Sequence, residues 1–151
     1  MPLRSEQPDA FDAQRFLDAQ DDGGTFDRAV AELTAGAKRS HWMWFVFPQL
    51  RGLGSSPTAT YFGLTSRAHA IAYLDPPVLG GRLRRATDVV LDGHVDDAVA
   101  LLGSVDALKL RSSMTLFARA APDEDRFARV LDRFFDGVAD PRTIELLGAA
   151  G

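Results

Sequence analysis

Residues 38–54, KRSHWMWFVFPQLRGLG, hold both tryptophans of the chain, Phe45, Phe47, His41, and basic residues at either end. The run from Trp42 to Phe47 is apolar at every position, so a helix drawn through it has no polar face and must be surrounded by other elements. Ser40 is placed to cap such a helix, and Pro48 must end it. Trp, Phe and Val also favour strands, which leaves a buried strand over the same residues as the alternative.

Helix is the favoured reading, and the flanking sequence is helical in its periodicity. Thr25 opens a segment in which Phe26, Ala29, Val30 and Leu33 fall at i, i+3, i+4 and i+7 before Gly36, and Phe11 to Gln20 forms a helix ahead of it. Ser56-Pro57 reads as an N-cap followed by proline at the first helical position, with the helix ending near Gly63. Thr65 or Ser66 caps the next, to Leu74. After Asp75-Pro76-Pro77 a longer helix carries Leu79, Leu83, Ala86 and Val90 to Gly93. Asp96 to Leu102 is short and stops at Gly103. Ser104 then opens a helix to about Ala120 that packs Leu108, Leu110, Met114, Leu116 and Phe117. Pro122 starts another with Phe127, Val130, Leu131 and Phe134, and Asp140-Pro141 starts the last. No stretch alternates with hairpin turns. The expectation is an all-α protein, a compact multihelical single domain over residues 11–148, behind a flexible N-terminal tail of residues 1–10.

Composition narrows the function. With 151 residues, 46% of them hydrophobic and 25% charged, the chain can bury a core without staples. It has no cysteine, so disulfides, thiolate catalysis and cysteine metal sites are excluded. The cytoplasm is the expected compartment. The first ten residues lack the apolar stretch of a secretion signal, and the run from Trp42 to Phe47 is far below the ~20 residues that cross a bilayer. A net charge of −4 argues against a nucleic-acid partner.

The acids are unevenly spread. None occurs between Glu32 and Asp75, where Lys38, Arg39, Arg51 and Arg67 give +4, and none from Ala107 to Pro122, where Lys109, Arg111 and Arg119 give +3. Burial expels carboxylates and would explain both windows. If the windows meet in space, they instead form an anion-attracting zone. Within it, Gly52, Gly54 and Ser55 beside a proline-started helix resemble an anion cradle, with Arg51 as a clamp and Lys38 as a further ligand-binding candidate, although an ordinary Gly/Ser loop fits too. Trp42 and Trp44 cannot face the same way on a helix, so Trp44 is the candidate cavity edge. His41 is the candidate catalytic residue, as a proton carrier; bridging a carbonyl at a helix start is its bland role. Lys109, Arg111 and Ser112 crowd an apolar helix, where a cation must pair with a carboxylate or reach a polar cavity; Asp106 at i, i+3 from Lys109 is the simplest partner. The border carboxylates Glu32, Asp75 and Asp106 are the available acids or bases. His41, His69 and His94 lack metal-ligand spacing, and no metal or cofactor is implied.

The 38–54 motif, Ala72-Tyr73-Leu74 leading to Pro77-Val78-Leu79-Gly80, and residues 106–117 (DALKLRSSMTLF) together resemble the family known as domain of unknown function 1810. The likeness runs from Phe11 to Leu147. It implies a multihelical domain with two central buried helices, the His41 and Lys109 segments, and supplies no activity or catalytic residue. A "calpastatin" label attached to some members belongs to a disordered inhibitor, which this periodic, apolar sequence does not resemble. The leading functional expectation is a domain binding a small anionic, nucleotide-like or phosphorylated ligand in a cationic aromatic pocket. The alternatives are a structural or protein-interaction module, and a glycosidic-bond hydrolase for an ADP-ribose-type substrate. Oligomeric state leaves no signal in the sequence.

Overall fold

The computed structural model describes residues 11–150, with the side chains of residues 149 and 150 left aside. The expected N-terminal tail, residues 1–10, lies outside the described residues. Among those described the fold is all-α: helices α1 (Ala13–Asp21), α2 (Thr25–Ala35), α3 (Met43–Val46), α4 (Pro57–Phe62), α5 (Arg67–Leu74), α6 (Pro77–Asp92), α7 (Ala98–Leu102), α8 (Ser104–Ala120), α9 (Arg126–Phe135) and α10 (Pro141–Ala150). Local chemistry sets most of these limits. Ser56 and Ser66 accept hydrogen bonds from Ala59 N–H and His69 N–H at the starts of α4 and α5. Asp97 does the same for α7, whose chain turns into α8 through Gly103 at φ +88°.

Helix α8 lies at the centre, packed by α5, α7, α9 and α10. Its Leu110, Met114, Leu116 and Phe117 are fully buried. Helix α6 closes the other side of the core with Leu79, Leu83, Ala86 and Val90, against α2, α5 and α9. The His41 segment is also central, but its helix is a single turn rather than a run from Ser40 to Phe47. The reason is Glu32. Its carboxylate, one turn from the end of α2, accepts hydrogen bonds from Arg39 N–H (2.7 Å), Ser40 N–H (3.0 Å), the Ser40 hydroxyl (2.6 Å) and the Trp42 indole N–H (2.9 Å). Those contacts hold residues 39–42 out of the helix, and Ser40 serves Glu32 instead of capping α3. The freed Phe45 carbonyl is met by Gln20 Nε2 (2.7 Å) and the Tyr73 hydroxyl (3.3 Å), which answers the need of a buried carbonyl for a partner.

Two other expectations shift. Helix α9 begins at Arg126 rather than Pro122, because Glu124 is drawn aside into a paired contact with Arg84 (2.9 and 2.8 Å) on α6. Leu108, expected in the core, is 63% exposed. It sits on the face of α8 opposite Leu110 and Phe117, as a helix apolar on two sides requires.

The candidate cleft at the start of helix α8

The first two turns of α8 present Val105, Leu108, Lys109 and Ser112 at i, i+3, i+4 and i+7 on one face. Facing them are the half-buried Trp44 and the loop Leu53-Gly54-Ser55-Ser56 leading into α4. Asp140 and Arg142, at the start of α10, close the end. Together they enclose a cleft of about 520 Å³, open to solvent and mostly apolar in its lining. The loop is fixed from below by an isolated parallel pairing, in which Arg51 N–H donates to Leu64 O (2.8 Å) and Leu64 N–H to Gln49 O (3.0 Å). Gly63 permits that approach, since a Cβ there would stand 2.7 Å from Arg51 Cα.

The two acid-free windows do meet, through the carboxylate between them. Asp106 pairs with Lys38 Nζ at 2.7 Å and with Lys109 Nζ at 3.5 Å. Each lysine also lies over a tryptophan: Lys38 over Trp42 at 5.1 Å and Lys109 over Trp44 at 4.5 Å from the ring centroid. Lys38 is thereby enclosed, with 8% of its side chain exposed, while Lys109 keeps 22% and lines the cleft.

The arginines of the windows go elsewhere. Arg51 Nε donates to Thr60 O (3.0 Å) near the C-terminus of α4, where Arg15 Nη1 also meets Tyr61 O (2.7 Å). Arg67 Nε meets Arg119 O (2.9 Å) at the end of α8. Arg111 holds Val138 O (2.8 Å) and Ala139 O (2.9 Å) in the turn before α10. The Thr60, Tyr61 and Arg119 carbonyls stand at helix C-termini, where the potential is negative, whereas Val138 and Ala139 belong to a turn, and in each case the arginine acts as a clasp between elements. Of the residues singled out from sequence, Trp44, Gly54, Ser55, Lys109 and Ser112 come together at the cleft. Lys38 stands behind it. Arg51 borders a smaller recess with Arg15, Tyr61 and His69, Gly52 accepts Arg142 Nη2 (3.2 Å) through its carbonyl, and Arg111 and the exposed His41 lie outside the cleft lining.

Asp140 and Arg142 escaped sequence reasoning, because nothing local ties the start of α10 to a loop some ninety residues earlier. The exposed apolar pair Val105 and Leu108 did leave a signal, the second apolar face on α8. Asp140 Oδ2 accepts from the Ser112 hydroxyl (2.9 Å), Thr143 N–H (3.2 Å) and the Thr143 hydroxyl, and its own N–H donates to Thr115 Oγ1 (2.9 Å). Glu32 is the carboxylate that its surroundings alter most. Burial pushes its pKa up, but the Ser40 hydroxyl, Arg39 N–H, Trp42 indole and Ser40 N–H outweigh that and hold it at about 2. Burial pushes the Tyr73 hydroxyl up as well, and there it prevails, carrying the group well above the usual phenol range against a hydrogen bond from Gln20 and the charge of Arg82.

A helical fold with a half-open, lysine-bearing cleft is the class these features define. The chain belongs to the family described as "Protein of unknown function (DUF1810)", whose model matches residues 10–147. It is similar to the conserved hypothetical protein Rv1873 from Mycobacterium tuberculosis, known from a crystal structure, at 47% identity and a TM-score of 0.88 over 91% of this chain and 97% of that one. No curated protein matches it. No helix among the described residues is long and apolar enough to cross a membrane.

Proposed function

We propose that residues 11–148 form a cytoplasmic binding domain that takes a small anionic ligand in the cleft beside Trp44 and Lys109. The observation that carries this is the placement of Lys109. Its ammonium stands in a mostly apolar recess of about 520 Å³, a size that suits a small organic molecule, and shares with Lys38 the one carboxylate partner it has among the described residues. A cation in that setting is under-neutralised and favours an incoming negative charge. Ser55 lines the same cleft and brings a hydroxyl to it, while Ser56 Oγ caps α4 by accepting from Ala59 N–H.

Binding, rather than glycosidic hydrolysis, is the reading the cleft supports. Hydrolysis needs a carboxylate free to act on the ligand, and the one that lines the cleft, Asp140, already serves the start of α10 through Oδ2. The interaction-module alternative draws on Val105 and Leu108, 65% and 63% exposed, which a partner protein would cover.

Thermal denaturation with nucleotides, sugar phosphates and organic carboxylates separates the two. A ligand at a hundred times its Kd stabilises the fold by about 2.7 kcal/mol, a shift of several degrees. The expected result is such a shift with at least one anion, lost in Lys109→Ala. A flat response to every anion would return the cleft wall to a protein partner.

A further inference from the structure

The cleft's charge and surface restrict the kind of anion it takes, an inference that rests on the binding reading above. Among its lining side chains Lys109 and Arg142 stand against Asp140, a surplus of one positive charge (two less one). Behind them Asp106 is matched by Lys38 at 2.7 Å, so that pair adds no uncompensated cation. A di- or triphosphate would bring two or more negative charges beside Asp140 with one charge to meet them. A single negative charge is what the site balances.

The walls point the same way. Val105 and Leu108 hold 65% and 63% of their surface open on a helix that otherwise buries its apolar residues, and Leu53 faces them from the loop. A hydrocarbon or aryl body of the ligand would take this apolar surface out of water. The Trp44 ring offers less to a nucleobase than its exposure suggests, because Lys109 Nζ already lies 4.5 Å from its centroid and covers that face. We infer that the ligand is an apolar-bodied organic monoanion, its single carboxylate or comparable head at Lys109 and Arg142 and its body along Leu53, Val105 and Leu108.

Isothermal titration of the full chain with 2-naphthoate and octanoate, beside ADP, a sugar phosphate and the neutral 2-naphthylmethanol, tests this. The expected result is that at least one carboxylate binds ten-fold or more tightly than the phosphates and the alcohol. Lys109→Ala and Leu108→Asp should each weaken it at least ten-fold. Arg39→Ala, an exposed cation away from the cleft, should leave it unchanged. Circular dichroism and a denaturation midpoint establish that each variant is folded. Tighter binding of ADP or a sugar phosphate would overturn the monoanion while leaving the cleft as an anion site. Equal binding of the alcohol would overturn the role of charge. Failure of every anion would overturn both proposals.

Discussion

Trp42 and Trp44 stand two residues apart, each with a lysine over its ring, and the two lysines reach the same carboxylate of Asp106. Around Trp42 every polar group is answered: the indole N–H by Glu32, and Lys38 by Asp106 at 2.7 Å, with the ring itself fully buried. Around Trp44 the same residue types stay half-open, at a longer 3.5 Å contact to Asp106 and beside exposed Val105 and Leu108. The comparison shows that residue type sets which interactions are available, while burial decides whether they are consumed by the fold or left for a ligand.

The largest effect should separate the two rings directly. Trp42→Ala removes a fully buried indole and leaves a cavity beside Phe47, so it should cost about 4 kcal/mol in urea denaturation. Trp44→Ala, with part of its surface already in water, should cost about 1–2 kcal/mol. Equal losses would mean that Trp44 is as much a part of the core as Trp42.

Glu32 comes next, as the group that keeps the Trp42 side dry. Glu32→Ala strips the acceptor from two backbone N–H groups, the Ser40 hydroxyl and the Trp42 indole, and should cost about 3 kcal/mol. The same carboxylate sets an acid sensitivity. Its folded pKa of about 2 lies below the ordinary 4.5, so its contribution is complete above the ordinary value and is lost as pH falls through the window down to about 2. Stability measured between pH 5 and pH 2 should fall more steeply for the natural chain than for Glu32→Ala. Parallel profiles would remove Glu32 from that role.

The two lysines should divide likewise. Lys38→Met leaves Asp106 with its longer contact alone in a partly buried setting and should cost about 1–2 kcal/mol. Lys109→Met exchanges a half-buried, three-residue-spaced pair with a long 3.5 Å contact for an apolar side chain, while Lys38 still neutralises Asp106, and should stay within about 0.5 kcal/mol. A double-mutant cycle of each lysine with Asp106→Asn measures the two couplings separately. A larger coupling for Lys109 than for Lys38 would invert the assignment of one to the fold and the other to the cleft.

Sequence reading reached furthest where a single local residue decides an outcome. Ser56 with Pro57, Ser66, Gly36 and Gly103 each mark a helix end through their own hydrogen bond or backbone preference, and the structure uses them so. It fell short where a distant group intervenes. Ser40 has the chemistry of a helix cap, yet Glu32 from α2 claims it; Pro122 could open α9, yet Arg84 from α6 draws Glu124 away. The cleft shows the same division. Trp44, Lys109 and Ser112 are conspicuous by type, whereas Arg142 and Asp140 join them only through the packing of α10 on α8. The basic windows were visible as composition, but arginines and lysines are equivalent in a charge sum. In space Arg51, Arg67 and Arg111 clasp backbone carbonyls, and a lysine is left facing the cleft.

An equally small expected effect is the most discriminating for the open side. Leu108→Ser removes a branched apolar side chain from a helix, which in the core would cost 2–5 kcal/mol. Here the side chain is 63% exposed, so little apolar surface returns to water when it is cut back. What remains is the lower helix propensity of serine, about 0.5 kcal/mol. Denaturation midpoints for Leu108→Ser and the natural chain should therefore nearly coincide. A residue with that little influence on folding, apolar and open on the wall of the cleft, contributes through what it meets there. A loss above about 2 kcal/mol would show instead that Leu108 is packed in solution, closing the cleft and erasing the contrast with the Trp42 side.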